Sequence, residues 1–193
     1  NYLQYLNPLE LLQTKKVLQS NPNILKVDQP HGESIISMYV YNAGQCVNQK
    51  NLKSEDVILE NFDPNKNYWL NLDILNKKSV ETIGTNIGLH TLIIEDILSV
   101  QQRPKVDEFD NYFTCVMQML YYNTELHAIE SEQVSFVLGK NFLFTFQDDS
   151  HRDLFDLIRE KLSNPATKVR VQGSDYLLYS LLDNIVDHYF VVL

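Results

Sequence analysis

The chain has 193 residues, 44% of them apolar and 21% charged, the proportions of an ordinary globular protein long enough for one domain with a sizeable core. Its formal charge of −9 and pI near 4.9 exclude nucleic acid or an anionic membrane surface as the main partner, because phosphate-rich surfaces call for a basic face. Two distant cysteines, Cys46 and Cys115, follow no metal-ligand spacing, which excludes a disulfide framework or zinc knuckle and fits a reducing compartment.

Residues 1–30 are broken by Pro8, Pro22 and Pro30, so the pattern predicts only a short helix over 9–18, and residues 1–33 form a poorly defined N-terminal segment. Residues 34–40, SIISMYV, read as a strand, 54–62 as a short helix capped by Ser54, and 68–74, YWLNLDI, as a strand with alternating faces. A helix follows over 79–87. The stretch 87–112, IGLHTLIIEDILSVQQRPKVDEFDNY, then reads as a short apolar helix and a turn carrying Arg103, Pro104 and Lys105. Residues 112–122 are apolar on both faces, as a central strand covered on both sides would be. Residues 132–147 read as a hairpin turning at 139–141, where Gly139 and Asn141 tolerate positive φ. Residues 152–162 place Leu154, Leu157, Ile158 and Leu162 on one helical stripe. Finally, Ser174 is expected to cap a last helix that is apolar over more than half its circumference, and so to be buried on two sides or against another copy. Helices before, between and after the strands make this an α/β protein of mixed α+β type: one domain over 1–193, with a mixed β-sheet and helices on both faces.

No run of about 18 apolar residues occurs, and the N-terminus lacks the regions of a signal peptide, so the chain as given is expected to be soluble. It begins without Met and stops inside a helical pattern, and a continuation beyond Leu193 is expected.

Two pairs of carboxylates stand out. On a helical wheel Asp96 falls between Leu89, Leu92 and Val100 on the apolar side, whereas Glu95 falls with Thr91 and Ser99 on the polar side. A carboxylate on an apolar face needs a partner, which is either an ion pair with Arg103 or Lys105 in the following turn or a bound cation. On the last helix Asp183 and Asp187 are four residues apart and share a narrow polar face with Tyr176 and Ser180; they are either solvated or, since like charges at that spacing repel, near a cation. His31, His90, His127, His151 and His188 lack helical zinc spacing, no phosphate loop or nucleophile elbow occurs, and Trp69 interleaves with apolar positions as a core residue does. Nothing in the motifs reads as catalysis.

The segments YWLNLDIL, IGLHTLIIEDILSVQQRPKVDEFDNYFTCVMQML, ESEQVSFVLGKNFLFTFQ and SDYLLYSLLDNIVDHYFVVL, spanning about 68–193, resemble the cytoplasmic N-terminal domain of the CorA-type magnesium transporters. Thr91 stands where the family often has proline, and Gln101 where histidine is frequent. The resemblance implies that 174–193 begins a long stalk helix, followed by two membrane-spanning helices absent from this chain, in a homopentamer on the cytoplasmic side of the inner membrane. It implies weak regulatory Mg²⁺, with Co²⁺ or Ni²⁺ as further ions, bound between subunits by the pair Glu95 and Asp96 and by Asp183, with the family's partner carboxylate further down the stalk, past Leu193, so that half of the site is missing here; Asp187 is added from spacing. The fragment alone is expected to be monomeric, to bind no nucleic acid and not to be an enzyme. The rivals are a related zinc transporter domain, a metal-dependent hydrolase using Glu95, Asp96 and Asp183, and an oligomerisation module with solvated acids.

Overall fold

The computed structural model describes residues 32–99, 102–148 and 154–192. The helix expected over 9–18 lies outside them, as do His31, Val100, Gln101 and His151. Seven strands form one mixed sheet: β1 Ile35–Tyr41, β2 Cys46–Lys50, β3 Asn67–Asp73, β4 Lys105–Glu108, β5 Phe113–Asn123, β6 Ala128–Leu138 and β7 Phe142–Gln147. Their order is β2-β1-β3-β7-β6-β5-β4. Only β3 and β7 pair in parallel; every other neighbouring pair is antiparallel. The helices are α1 Lys77–Asn86, α2 Thr91–Leu98, α3 Asp156–Ser163, α4 Lys168–Val171 and α5 Ser174–Val192.

Alternation along the strands gives the sheet two apolar faces, and each needs a helical cover. Ile36, Met38, Leu70, Leu72, Phe144 and Phe146 form one core with Val80 and Ile83 of α1 and Ile93 and Ile97 of α2. Tyr39, Tyr41, Trp69, Phe136 and Leu143 form the other with Ile158 and Leu162 of α3 and Leu177, Leu178, Leu181 and Ile185 of α5. The mixed sheet covered by helices on both sides is therefore the expected architecture, and Trp69 is a core residue with no exposed surface.

Several local expectations change. The helix expected over 54–62 is two single 3-10 turns, Ser54–Asp56 and Leu59–Asn61, because Val57 between them stays extended to bury its side chain; Ser54 donates to Glu55 Oε2 instead of capping. The helix expected to start at 79 starts two residues earlier, since Asn76 accepts from the backbone N–H groups of Lys78 and Ser79. The central strands are β3, β7 and β6, whereas β5, expected in the centre, lies next to the edge strand β4. The hairpin turn does fall between Leu138 and Phe142, but Gly139 is required there for space: a Cβ would meet the Phe142 ring at 2.0 Å. On α3, Leu157 faces solvent and Phe155 takes its expected place in the core. Ser174 is the first residue of α5, buried, with its hydroxyl 3.4 Å from Asn67 Oδ1.

Candidate functional site

α2 is the element that carries the first acidic pair, and local chemistry fixes where it starts. Gly88, at φ 71°, turns the chain after α1, a conformation that glycine adopts without a steric penalty. His90 then acts as the N-cap: its Nδ1 accepts from Leu92 N, and its own N–H donates to the Tyr112 hydroxyl at 3.0 Å. One stripe of the helix, Ile93 and Ile97, is buried against the sheet. Leu92, expected on that stripe, is exposed, and the burial is centred one residue further round. Glu95 is exposed, while the Asp96 side chain is only 19% exposed at the edge of the buried stripe.

The half-buried Asp96 has a cation partner, and it is Lys105. Lys105 Nζ lies 2.5 Å from Asp96 Oδ2 and 3.5 Å from Asp107 Oδ2. Arg103, the other candidate, is exposed and makes no ion pair among the described residues. Lys105 reaches Asp96 because it opens β4, a strand that sequence reasoning read as part of a turn; its register opposite Val116 on β5 aims the side chain at α2. The hydrogen bond to Asp96, reinforced by the charges of Asp96 and Asp107, holds the Lys105 ammonium above the ordinary lysine range against the opposing effect of burial. The Asp96 backbone is anchored separately: Gln133 Nε2 on β6 donates to Asp96 O at 3.0 Å, and Gln133 Oε1 accepts from Gln102 N at 2.9 Å.

The second acidic pair sits on α5, where Asp183 and Asp187 are both exposed. Beside them Ser180 donates to its own helix at Tyr176 O, and Asn184 donates to Leu154 O at 2.7 Å, whereas the two carboxylates have no hydrogen-bonded partner among the described residues. The two pairs do not meet. α2 covers one face of the sheet and α5 the other, so the sheet separates Glu95 and Asp96 from Asp183 and Asp187. Among the described residues no three His, Cys, Asp or Glu side chains gather into a cluster that could hold a metal ion. What each place offers is hard carboxylate oxygen, the donor type that suits Mg²⁺, but a single chain supplies too few ligands at either place to complete a coordination shell. The described histidines have local roles: His90 caps, His127 takes a positive φ beyond the end of β5 with Tyr122 Oη 3.4 Å from its Nδ1, and His188 lies beside the Tyr121 ring. No described helix is long and apolar enough to cross a membrane.

A family model described as "CorA-like Mg2+ transporter protein" matches residues 64–193. The cobalt/magnesium transport protein CorA of Thermotoga maritima is 42% identical over 147 residues, a match that covers 75% of this chain and 42% of that protein. The chain thus spans about two fifths of that relative's length. Among solved structures, the soluble domain of CorA from Methanocaldococcus jannaschii aligns at a TM-score of 0.59 and 18% identity, covering 80% of this chain and 56% of that one. The ZntB cytoplasmic domain from Vibrio parahaemolyticus aligns at 0.51 and 15% identity, covering 81% and 57%. At such identities the structural likeness concerns the fold alone.

Proposed function

The chain belongs to the CorA-like Mg²⁺ transporter family, and from that premise we propose that it is the cytoplasmic regulatory domain of a divalent-cation transporter that senses Mg²⁺ through Glu95, Asp96, Asp183 and Asp187. In this reading 1–193 is one regulatory domain, α5 begins a stalk that leads to membrane helices beyond the chain, and five copies assemble on the cytoplasmic side of the inner membrane. The transported ion is Mg²⁺, with Co²⁺, as in the name of the Thermotoga relative, or Ni²⁺ as further cargo.

The observation that carries the reading is the placement of two acidic pairs, exposed except for the half-buried Asp96, on opposite sides of one sheet. A cation shared between them has to be shared between chains. In an assembly the α2 face of one copy and the α5 face of the next supply complementary halves, and Mg²⁺ bound there offsets the repulsion between facing carboxylates. Loss of that ion loosens the contact, so that occupancy reports internal Mg²⁺ to the pore. Because Mg²⁺ dehydrates reluctantly, a few carboxylates acting partly through water make a weak site, and a weak site responds to changes in concentration where a tight one stays filled.

A related zinc transporter is the second reading, favoured by the fold likeness to the ZntB domain. The donors weigh toward Mg²⁺: the four acids offer only oxygen, whereas zinc sites draw mainly on imidazole and thiolate, with carboxylate as an addition.

Calorimetry on the isolated chain tests the shared site. With half of each ligand set missing, Mg²⁺ is expected to bind with affinity at or weaker than the millimolar order of loosely built oxygen sites. A micromolar Mg²⁺ site that survives Asp96→Asn would overturn the reading and direct attention to other acids.

A further inference from the structure

We propose that Lys105 is a built-in competitor for Asp96, a tethered ammonium that any cation binding at Asp96 must displace, and that it thereby sets the cation concentration at which the site fills. The inference rests on the reading of Asp96 as a cation ligand and adds the residue that tunes it.

Three features of the geometry carry it. Lys105 Nζ already occupies the place of a cation, 2.5 Å from Asp96 Oδ2, so the carboxylate has one positive partner before any metal arrives. The ammonium also has somewhere to go: Asp107, two residues along the same strand, holds its carboxylate 3.5 Å from the same nitrogen. Lys105 can therefore leave Asp96 and remain paired. Finally, the exchange needs no movement of the helix. The Asp96 backbone is tied to β6 through Gln133, Ile93 and Ile97 hold α2 on the sheet, and the Lys105 side chain is itself 36% exposed. Only a flexible four-carbon stem has to swing.

The consequence is a reduction in apparent affinity by the fraction of time that Asp96 is free of the ammonium, which is the usual penalty when the binding-competent state is a minority. Glu95, the neighbouring acid, makes no ion pair among the described residues, so Asp96 alone is gated in this way. The gate also discriminates by charge. A divalent ion gains roughly twice the attraction of a monovalent one at the same carboxylate distance, so it displaces the ammonium where Na⁺ or K⁺ does not.

The experiment is a Mg²⁺ titration of the 193-residue chain followed by the backbone amide resonances of Glu95 and Asp96, in the native protein and in Lys105→Met, Lys105→Arg and Asp96→Asn. Lys105→Met removes the competing charge and keeps the stem; it is expected to bind Mg²⁺ about two- to fivefold more tightly than the native chain, the range of a partly exposed ion pair. Lys105→Arg should stay near the native affinity, and Asp96→Asn should lose the response. Equal or weaker binding in Lys105→Met, with the response still at Glu95 and Asp96 and lost in Asp96→Asn, overturns the competitor role and leaves Asp96 as a ligand. No Mg²⁺ response at these amides in any variant overturns both. Should Lys105→Met fail to fold, acylation of lysines in the native chain decides the matter by mass spectrometry. Mg²⁺ is expected to raise the labelling of Lys105 severalfold relative to Lys77 and Lys168, and an unchanged ratio across the titration contradicts the proposal.

Discussion

Tyr189, near the end of α5, donates its hydroxyl to the backbone carbonyl of Gln118 on β5, so the last helix is pinned to the sheet along nearly its whole length. The sequence pattern, apolar over more than half the helix, called for burial on two sides or against another copy. One face, Leu177, Leu178, Leu181 and Ile185, is buried in the core on the sheet within this chain, while Tyr179, Val186 and Phe190 on the outer side stay exposed.

From this docking follows a sharp contrast between positions. Leu181→Ala should cost about 2–5 kcal/mol as a core truncation, whereas Val186→Ala on the outer side should stay within about 0.5 kcal/mol. Urea denaturation of the two variants measures both. A Leu181→Ala cost as small as that of Val186→Ala would show that the helix is detached in this chain.

Gly139 gives a second test, of packing at the β6–β7 turn. A methyl group there meets the buried Phe142 ring at 2.0 Å, and Gly139→Ala should destabilise by about 1–3 kcal/mol through overpacking. Pairing it with Phe142→Leu should recover part of the loss, because the clash is with the outer edge of the ring. If the turn glycine instead serves only backbone freedom, the second substitution recovers nothing.

Alkaline pH is a third lever. Burial pushes the Tyr41 phenol and the Cys115 thiol above their ordinary values, and the hydrogen bond to Asp96 does the same for the Lys105 ammonium. In each case the folded protein keeps its proton longer than the unfolded chain. The stabilisation is complete below the unfolded values, about 8.5 for cysteine and about 10 for tyrosine and lysine, and is lost as pH climbs through them towards the folded ones. Urea midpoints should be flat from neutrality to about pH 8 and then fall, and Cys115→Ala should flatten the first part of the decline. A midpoint that rises between about pH 8.5 and 11 would contradict these assignments.

The fold was legible wherever one residue pattern had one structural solution. β3 alternates Trp69 and Leu70 to opposite faces, and β7 is buried throughout, so both read correctly as strands. β2 and β4 did not, since the edge strands CVNQK and KVDE bury none of their side chains fully and carry no apolar alternation. The need of Asp96 for a cation was legible from its place between Leu89, Leu92 and Val100 on the helical wheel, although the buried stripe proved to be centred on Ile93 and Ile97. That the cation is Lys105 and not Arg103 depended on β4, which sequence periodicity could not show. The separation of the two acidic pairs by the sheet depended on chain topology, beyond the reach of any local pattern.

The assembly itself can be weighed in solution. The isolated chain lacks the stalk and membrane contacts of the proposed pentamer, and sedimentation over a concentration series is expected to find monomers with and without millimolar Mg²⁺. A stable metal-free pentamer would mean that the domain surface alone drives assembly and that facing carboxylates need less cation bridging than proposed.

The central claim, that Asp96 answers to internal Mg²⁺ and not merely to Lys105, is tested most directly by Mg²⁺ flux through the proposed full-length transporter carrying Asp96→Lys, measured against internal Mg²⁺ concentration with a thermal melt of the same protein as the folding control. The substitution places a permanent positive charge at the position of the bridging ion. Inhibition by internal Mg²⁺ is expected to weaken while the protein remains folded. A folded transporter whose inhibition curve is unchanged, or a lowered melting temperature with intact Mg²⁺ dependence, would assign Asp96 to the internal ion pair with Lys105 alone and contradict the sensing role.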